Sequence, residues 1–219
     1  MRSTVEPDSR GRIFPKRYQD ATLATFDTNG SDRLLEALTA ARAVVSGTNR
    51  NLVLVGPPGV GKTHLAVGVV RAILDRDVER YRAEVEESER PDRIGTWHPR
   101  LPDSPQWVNV ASLIVSLRMQ MDAPLDDRTG AETVRILRRQ KGIVVLDDLG
   151  REKVSDWTGE IVYDLVNSRY ENELPTIVTS NLTPAELAGS PYWPAISRLA
   201  EDGALVRIEA PDHRLARSA

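Results

Sequence analysis

Residues 51–63 read NLVLVGPPGVGKT, an unbroken apolar run of strand length that passes straight into a turn of glycines and prolines and closes on Lys-Thr. No other stretch leaves the backbone so few choices. A short run that is apolar on both faces is the pattern of a buried parallel strand. The helical stretch from Lys62 to Leu74 follows with no linker. Gly56-Pro57-Pro58-Gly59-Val60-Gly61-Lys62-Thr63 therefore satisfies G-x-x-x-x-G-K-[ST] in the strand–loop–helix setting that the motif needs. Glycines at these places let backbone N–H groups turn inward around phosphates, and the helix N-terminus adds a favourable dipole. Lys62 is expected to reach the β- and γ-phosphates and the Thr63 hydroxyl to ligate Mg²⁺. His64, next in line, is counted with the loop among the nucleotide-contacting residues.

The rest of the 219-residue chain repeats the rhythm of strand and helix. QWVNV (106–110), GIVVLDD (142–148), PTIVTSN (175–181) and ALVRIEA (204–210) read as strands. Leu34–Val45, Leu113–Met121 and Trp157–Glu173 read as helices, and Thr183-Pro184-Ala185-Glu186 reads as a capped helix start. Strands alternating with helices predict an α/β fold, a parallel five-stranded sheet flanked by helices. Residues 1–12 read as a flexible terminus and 13–219 as a single domain. The segment 76–105, dense in charge and then in proline (91, 99, 102, 105), breaks the rhythm; it reads as a helix end with a surface loop, or as an inserted partner-binding segment.

Composition closes several routes. There is no cysteine, so disulfides, thiol nucleophiles and Cys-ligated zinc are excluded. His64, His98 and His213 lie far apart and match no metal-ligand spacing. No apolar run approaches a membrane span, and the first residues lack a signal-peptide core, which predicts a cytoplasmic protein. The net charge of −3 speaks against indiscriminate coating of nucleic acid.

GIVVLDDLG carries the second half of the site. A strand buried along its length cannot bury two adjacent acids, so Asp147 and Asp148 are expected at its C-terminal edge, where open α/β sheets bind ligands. Asp147 is the expected Mg²⁺ partner and Asp148 the group that polarises the attacking water. Asn181 ends the next strand and is placed to orient that water or the γ-phosphate, or else is a turn residue before the Thr183 cap. Arg198 has no role within its own chain that its position suggests.

Several stretches together resemble the DnaC/IstB-like branch of the AAA+ ATPases, the helicase loaders and transposition helpers: FPKRYQDATLATF (14–26), NLVLVGPPGVGKTHLA (51–66), VVLDDLG (144–150), NSRYENELPTIVTSNLTPAEL (167–187) and SRLAEDGALVRIEAPDHR (197–214). The resemblance spans about Ile13 to Arg214, with 76–105 outside it. It implies an ATP- and Mg²⁺-dependent P-loop ATPase of the AAA+/ASCE type. Asn181 stands where the family has its sensor 1 residue, and Arg198 where it has an arginine finger that enters a neighbour's ATP site. That implies a homo-oligomer with ATP bound.

Arg17 and Tyr18 match the segment near the adenine, although Tyr18 also reads as an ordinary half-buried anchor. Asp148 stands where AAA+ proteins commonly carry Glu, which implies slow hydrolysis. The short stretch after the last strand implies no C-terminal helical lid domain and leaves Arg214 as the candidate for a sensor 2-like contact. The short stretch before the match implies that a helicase would be bound through another surface than the family's N-terminal domain, or that the chain is a minimal or phage-type variant.

DNA, single-stranded for preference, is the implied second ligand. Arg135, Arg138, Arg139 and Lys141 are the candidate basic surface, or else cations that complement a helix C-terminus. The leading expectation is a loader of a DnaB-type replicative helicase; the alternative is an IstB-like transposition helper that recruits a transposase. A nucleotide-switched binding module and a small-molecule kinase are further readings of the same loop.

Overall fold

The computed structural model describes residues 14–88, 103–120 and 129–212. A 3₁₀ turn (Lys16–Tyr18) is followed by α1 (Asp32–Ser46), β1 (Asn51–Val55), α2 (Lys62–Ser88), β2 (Gln106–Asn109), α3 (Val110–Met119), α4 (Thr129–Arg139), β3 (Val144–Leu149), α5 (Asp156–Glu171), β4 (Thr176–Ser180), α6 (Pro184–Ala188), α7 (Trp193–Glu201) and β5 (Gly203–Arg207). The five strands form one parallel sheet in the order β2-β3-β4-β1-β5. The α/β expectation holds, and among the described residues no helix follows β5.

The side-chain alternation of β1 explains how the sheet is covered on both faces. Leu52 and Leu54 pack with Leu34, Leu38, Leu65 and Val69, so α1 and α2 cover one face. Val53 and Val55 pack with Ile114, Leu165, Val166 and Ile196, so α3, α5 and α7 cover the other. All five residues of β1 and all five of β4 are buried, as central strands of such a sheet must be.

Local signals set the element ends. Ser31 accepts from the Leu34 N–H at the start of α1, and Gly47, at φ 79°, ends that helix. Thr183 and Glu186 form the reciprocal capping box expected at α6, and Ser155 with Thr158 forms another at α5.

The largest departure is in α2, which runs to Ser88 and not to Leu74. Residues 75–88 contain no glycine or proline and are rich in Glu and Arg, and Arg80 sits 3.7 Å from Asp77 and 3.9 Å from Glu84, one turn away on either side. The solvated helix end expected here is present and runs about four turns past Leu74. The rest of the 76–105 segment up to residue 102 lies outside the described residues, as do residues 1–12, His98, His213 and Arg214. Among the described residues no helix is long and apolar enough to cross a membrane.

The order of strands positions the site. β4 lies between β1 and β3, with Ser180 in register with Val55 on one side and Leu149 on the other. The residues that follow β1, β3 and β4 therefore leave the sheet side by side at its C-terminal edge.

Candidate phosphate and metal site

At the end of β1 the phosphate loop closes on its own lysine. Lys62 is buried, and its Nζ donates to the carbonyls of Gly56 and Pro57, both at 2.7 Å. Gly59 and Gly61 hold φ values of 82° and 102°, a region that disfavours any side chain. A Cβ on Gly61 would also meet the ring of Phe26, and one on Gly59 the Asp212 carboxylate. Gly56, Val60 and Lys62 are buried, while Pro57 and Pro58 face solvent. The predicted loop residues are thus brought together as one cradle.

The two acids at the end of β3 part company. Asp147 stays in the sheet, 6% exposed. Its Oδ1 accepts from Thr179 Oγ1 at 2.7 Å and from Thr63 Oγ1 at 3.3 Å. Burial pushes its carboxyl above the usual range, donation by Thr179 pulls it down, the charge of Asp148 pushes it up again, and Thr63 and Trp107 donate as well. Asp148 takes the left-handed region, φ 61°, and turns out of the strand. Its N–H donates to Thr179 Oγ1 at 3.0 Å where a ladder bond would otherwise stand. The β3–β4 register shifts between Leu146 and Leu149 at this point, and Gly150 follows at φ 87°. Asp148 Oδ1 accepts from Asn181 Nδ2 at 3.3 Å, and Arg151 lies 3.4 Å from Oδ2. The geometry separates a buried acid joined to the P-loop threonine from a half-exposed acid aimed over the edge of the sheet.

The donor set fits Mg²⁺. Thr63 Oγ1 and Asp147 Oδ1 converge, and burial of Asp147 favours a counter-charge. Among the described residues no group of three or more His, Cys, Asp or Glu could cage a metal. Magnesium does not require one, since it is commonly held by one or two protein oxygens plus substrate phosphates and water.

The other predicted residues fall in three places. Asn181 joins the site through Asp148. Arg17 and Tyr18 lie in the 3₁₀ turn, the guanidinium 5.9 Å from the ring centre. That turn opens a strap, residues 14–26, laid along α2. His64 holds it: its Nε2 lies 2.9 Å from Thr22 O and 3.3 Å from Thr25 Oγ1, and its ring meets Phe26 edge-on at 5.5 Å. The imidazole therefore faces the strap, which leaves His64 its backbone to offer a nucleotide. Arg71, 4.8 Å from the Phe14 ring centre, and Gly68, with no room for a Cβ beside Leu23, fix the strap further along. Arg198 stands apart. It donates to Pro194 O at 3.1 Å and lies 4.8 Å over the Tyr163 ring. Among the described residues its contacts lie on α7 and α5, and none is with the phosphate loop, Asp147, Asp148 or Asn181.

Thr179 was missed in the sequence, although a hydroxyl two residues before Asn181 in a wholly buried strand was a usable signal. The buried hydroxyl serves both acids at once. Thr179→Val keeps the shape and removes both hydrogen bonds, so it is expected to lower stability by about 1–3 kcal/mol. Asp147 loses its shortest donor, so its carboxyl rises further. Protonation then competes with the metal at higher pH, and Mg²⁺-dependent nucleotide binding should fail earlier as pH is lowered. Urea unfolding and fluorescent-nucleotide titration against pH check the two effects.

Comparison with known proteins agrees with this geometry. Residues 15–82 match the family model described as IstB-like ATP binding protein. The structure of the DnaC helicase loader superposes with a TM-score of 0.67 at 28% identity, over 89% of this chain and 100% of that one. DnaI superposes with a TM-score of 0.65 at 20% identity, over 92% of this chain and 95% of that one. AMPPCP-bound DnaA from Aquifex aeolicus gives 0.58 at 19% identity, over 90% of this chain and 52% of that one. No curated protein sequence matches. The chain is thus similar to the DnaC/IstB-like AAA+ ATPases in sequence over residues 15–82 and in fold over most of its length.

Proposed function

We propose that this chain is an ATP-hydrolysing loader that assembles with ATP, binds a replicative ring helicase and engages single-stranded DNA. The observation that carries the reading is the likeness to the DnaC helicase loader, which extends over the whole of that chain. Lys62 supplies the positive charge at the mouth of the loop, and the inward N–H groups of residues 59–63 hold the phosphates. Thr63 and Asp147 would hold Mg²⁺, which neutralises charge on the β- and γ-phosphate oxygens. Asp148, free of the ladder, accepts a proton from the attacking water, and Asn181 orients both. Arg198 acts on a neighbouring subunit's site. Arg17 and Tyr18 face the adenine from the strap that His64 ties down.

Asp148→Asn is expected to keep nucleotide affinity within about threefold and to lower turnover by 10²–10⁴, the usual worth of a general base. Phosphate release and nucleotide titration check it, and equal loss of affinity and turnover would remove Asp148 from the water-activating role. Native mass spectrometry with the replicative helicase of the same host, with ATP and with none, tests the loader reading. A stoichiometric complex supports it.

The second reading, an IstB-like transposition helper, is favoured by the family match over residues 15–82. It takes first place if the chain ignores the helicase and oligomerises on duplex DNA with ATP.

A further inference from the structure

Between α4 and α5, at the end of the sheet away from the phosphate loop, runs a cleft of about 520 Å³. Arg135, Arg138, Arg139 and Lys141 line it, with Ser168 and Asn172 on the opposite wall and no carboxylate among the lining residues. Lys141 precedes β3 and Leu174 precedes β4, so the cleft opens at the N-terminal ends of strands whose C-terminal ends carry the acids of the nucleotide site.

Cations in the last turn of a helix usually serve its dipole, but here that work is done from below. Arg169, fully buried, donates to Leu137 O at 2.6 Å and Gln140 O at 2.8 Å, the carbonyls at the C-terminal end of α4. It also donates to Gly142 O and Pro175 O ahead of β3 and β4. The surface cations are therefore surplus to capping, and a fifth positive charge lies under the floor of the cleft. Arg135 is paired with Glu132 and Arg138 with Asp164, both acids outside the lining. Among the described residues neither Arg139 nor Lys141 has an ion-pair partner.

We infer that this cleft binds the phosphate backbone of a single nucleic-acid strand. The inference rests on the function proposed above for DNA as the partner and adds where the strand is gripped. Arg135 to Arg139 spans about 6 Å along α4, at ~1.5 Å per residue, and Lys141 lies beyond the end of that helix. The cations are thus set out for neighbouring phosphates along one backbone. Guanidinium groups match phosphate oxygens bidentately, and the Ser168 hydroxyl and Asn172 amide add neutral donors. The cleft presents no aromatic ring for stacking, so it reads backbone and not sequence.

The test is the salt dependence of binding of a fluorescein-labelled oligo(dT) to the full chain with ATP. Removing two phosphate contacts should lower the slope of log K against log salt by about 1.4, at ~0.7 per contact for a single strand. The double variant Arg139→Ser, Lys141→Ser is expected to show that change and to bind about 25-fold more weakly near 0.1 M salt. Arg33→Ser with Arg42→Ser, exposed on α1, makes the same change in net charge and should leave the slope in place. Nucleotide affinity of both double variants should equal that of the unaltered chain, which also shows that they fold. An unchanged slope in the cleft variant overturns the inference. So does equal loss in the α1 variant, or a loss confined to helicase binding. If the unaltered chain fails to bind oligo(dT) while it binds ATP and the helicase, the cleft inference falls together with the single-stranded DNA part of the proposed function, and only the ATP- and helicase-binding parts stand.

Discussion

Arg198→Ala is expected to bind nucleotide as the unaltered chain does and to lose ATP turnover by a factor between about 10³ and 10⁵, the range over which arginine fingers act in related NTPases. In free energy that is about 4–7 kcal/mol of transition-state stabilisation. The structure gives the reason for expecting the two effects to separate. The guanidinium rests on Tyr163 and on the Pro194 carbonyl, while Lys62 donates to Gly56 and Pro57 and Asp147 accepts from Thr63 and Thr179. Removing it breaks none of those bonds of the cradle.

A residue that does nothing for its own site can act on a neighbour's, and a mixing experiment reads this directly. Subunits carrying Lys62→Ala cannot hold nucleotide well but keep Arg198. Mixed with Arg198→Ala subunits, they should restore turnover at the intact phosphate loops of the latter. No restoration at any ratio, with oligomers present, would show that Arg198 does not act in trans. A parallel fall in nucleotide affinity would place it in its own site.

Much of the geometry of the candidate site was legible because its residues are contiguous in the chain. Gly56 to Thr63 must form a cradle after a buried strand, and two acids closing an apolar strand must emerge at its edge. What could not be read was the local geometry that sets adjacent residues apart. Asp147 and Asp148 carry different expected roles, but their identical side chains do not show what separates them. They differ because Asp148 leaves the ladder at a positive φ with its N–H on Thr179, a choice made by β4 and not by β3. His64 looked like part of the loop because it follows Thr63, but a helix turns successive side chains by about 100°. One residue on, the ring meets the strap and not the cradle. In α2 a helix end was expected after Leu74, but its length to Ser88 was not legible, since charged residues suit a solvated helix and a loop alike until ion pairs such as those of Arg80 are seen.

The least legible residue is Arg169, and Arg169→Met is expected to destabilise the fold by about 3–5 kcal/mol, because it takes the donors away from several buried acceptors at about 1–3 kcal/mol each. In a helix an arginine ordinarily faces water, yet this one is fully buried and has no carboxylate partner among the described residues. Burial pulls its pKa down to about 9, so it stays charged at neutral pH. Thr176 Oγ1 and the carbonyls of Leu137, Gln140, Gly142 and Pro175 surround it at 2.6–3.2 Å. Those carbonyls come from the end of α4 and from the starts of β3 and β4, segments that meet only once the sheet is assembled.

Methionine fills the volume but removes the guanidinium donors. Pro175 O keeps the Val144 N–H at 3.1 Å, the other acceptors lose their Arg169 bond, and each buried group left unsatisfied costs about 1–3 kcal/mol. Arg169→Lys keeps the charge, but an ammonium has three donors on one atom where the guanidinium spreads five over a planar fork. It should therefore recover less than half of the loss. Domains are stable by about 5–15 kcal/mol, so either variant should move the urea midpoint by a large fraction of its value, with nucleotide affinity of the folded fraction unchanged. A loss below about 1 kcal/mol for Arg169→Met would mean that water satisfies these carbonyls as well as the arginine does.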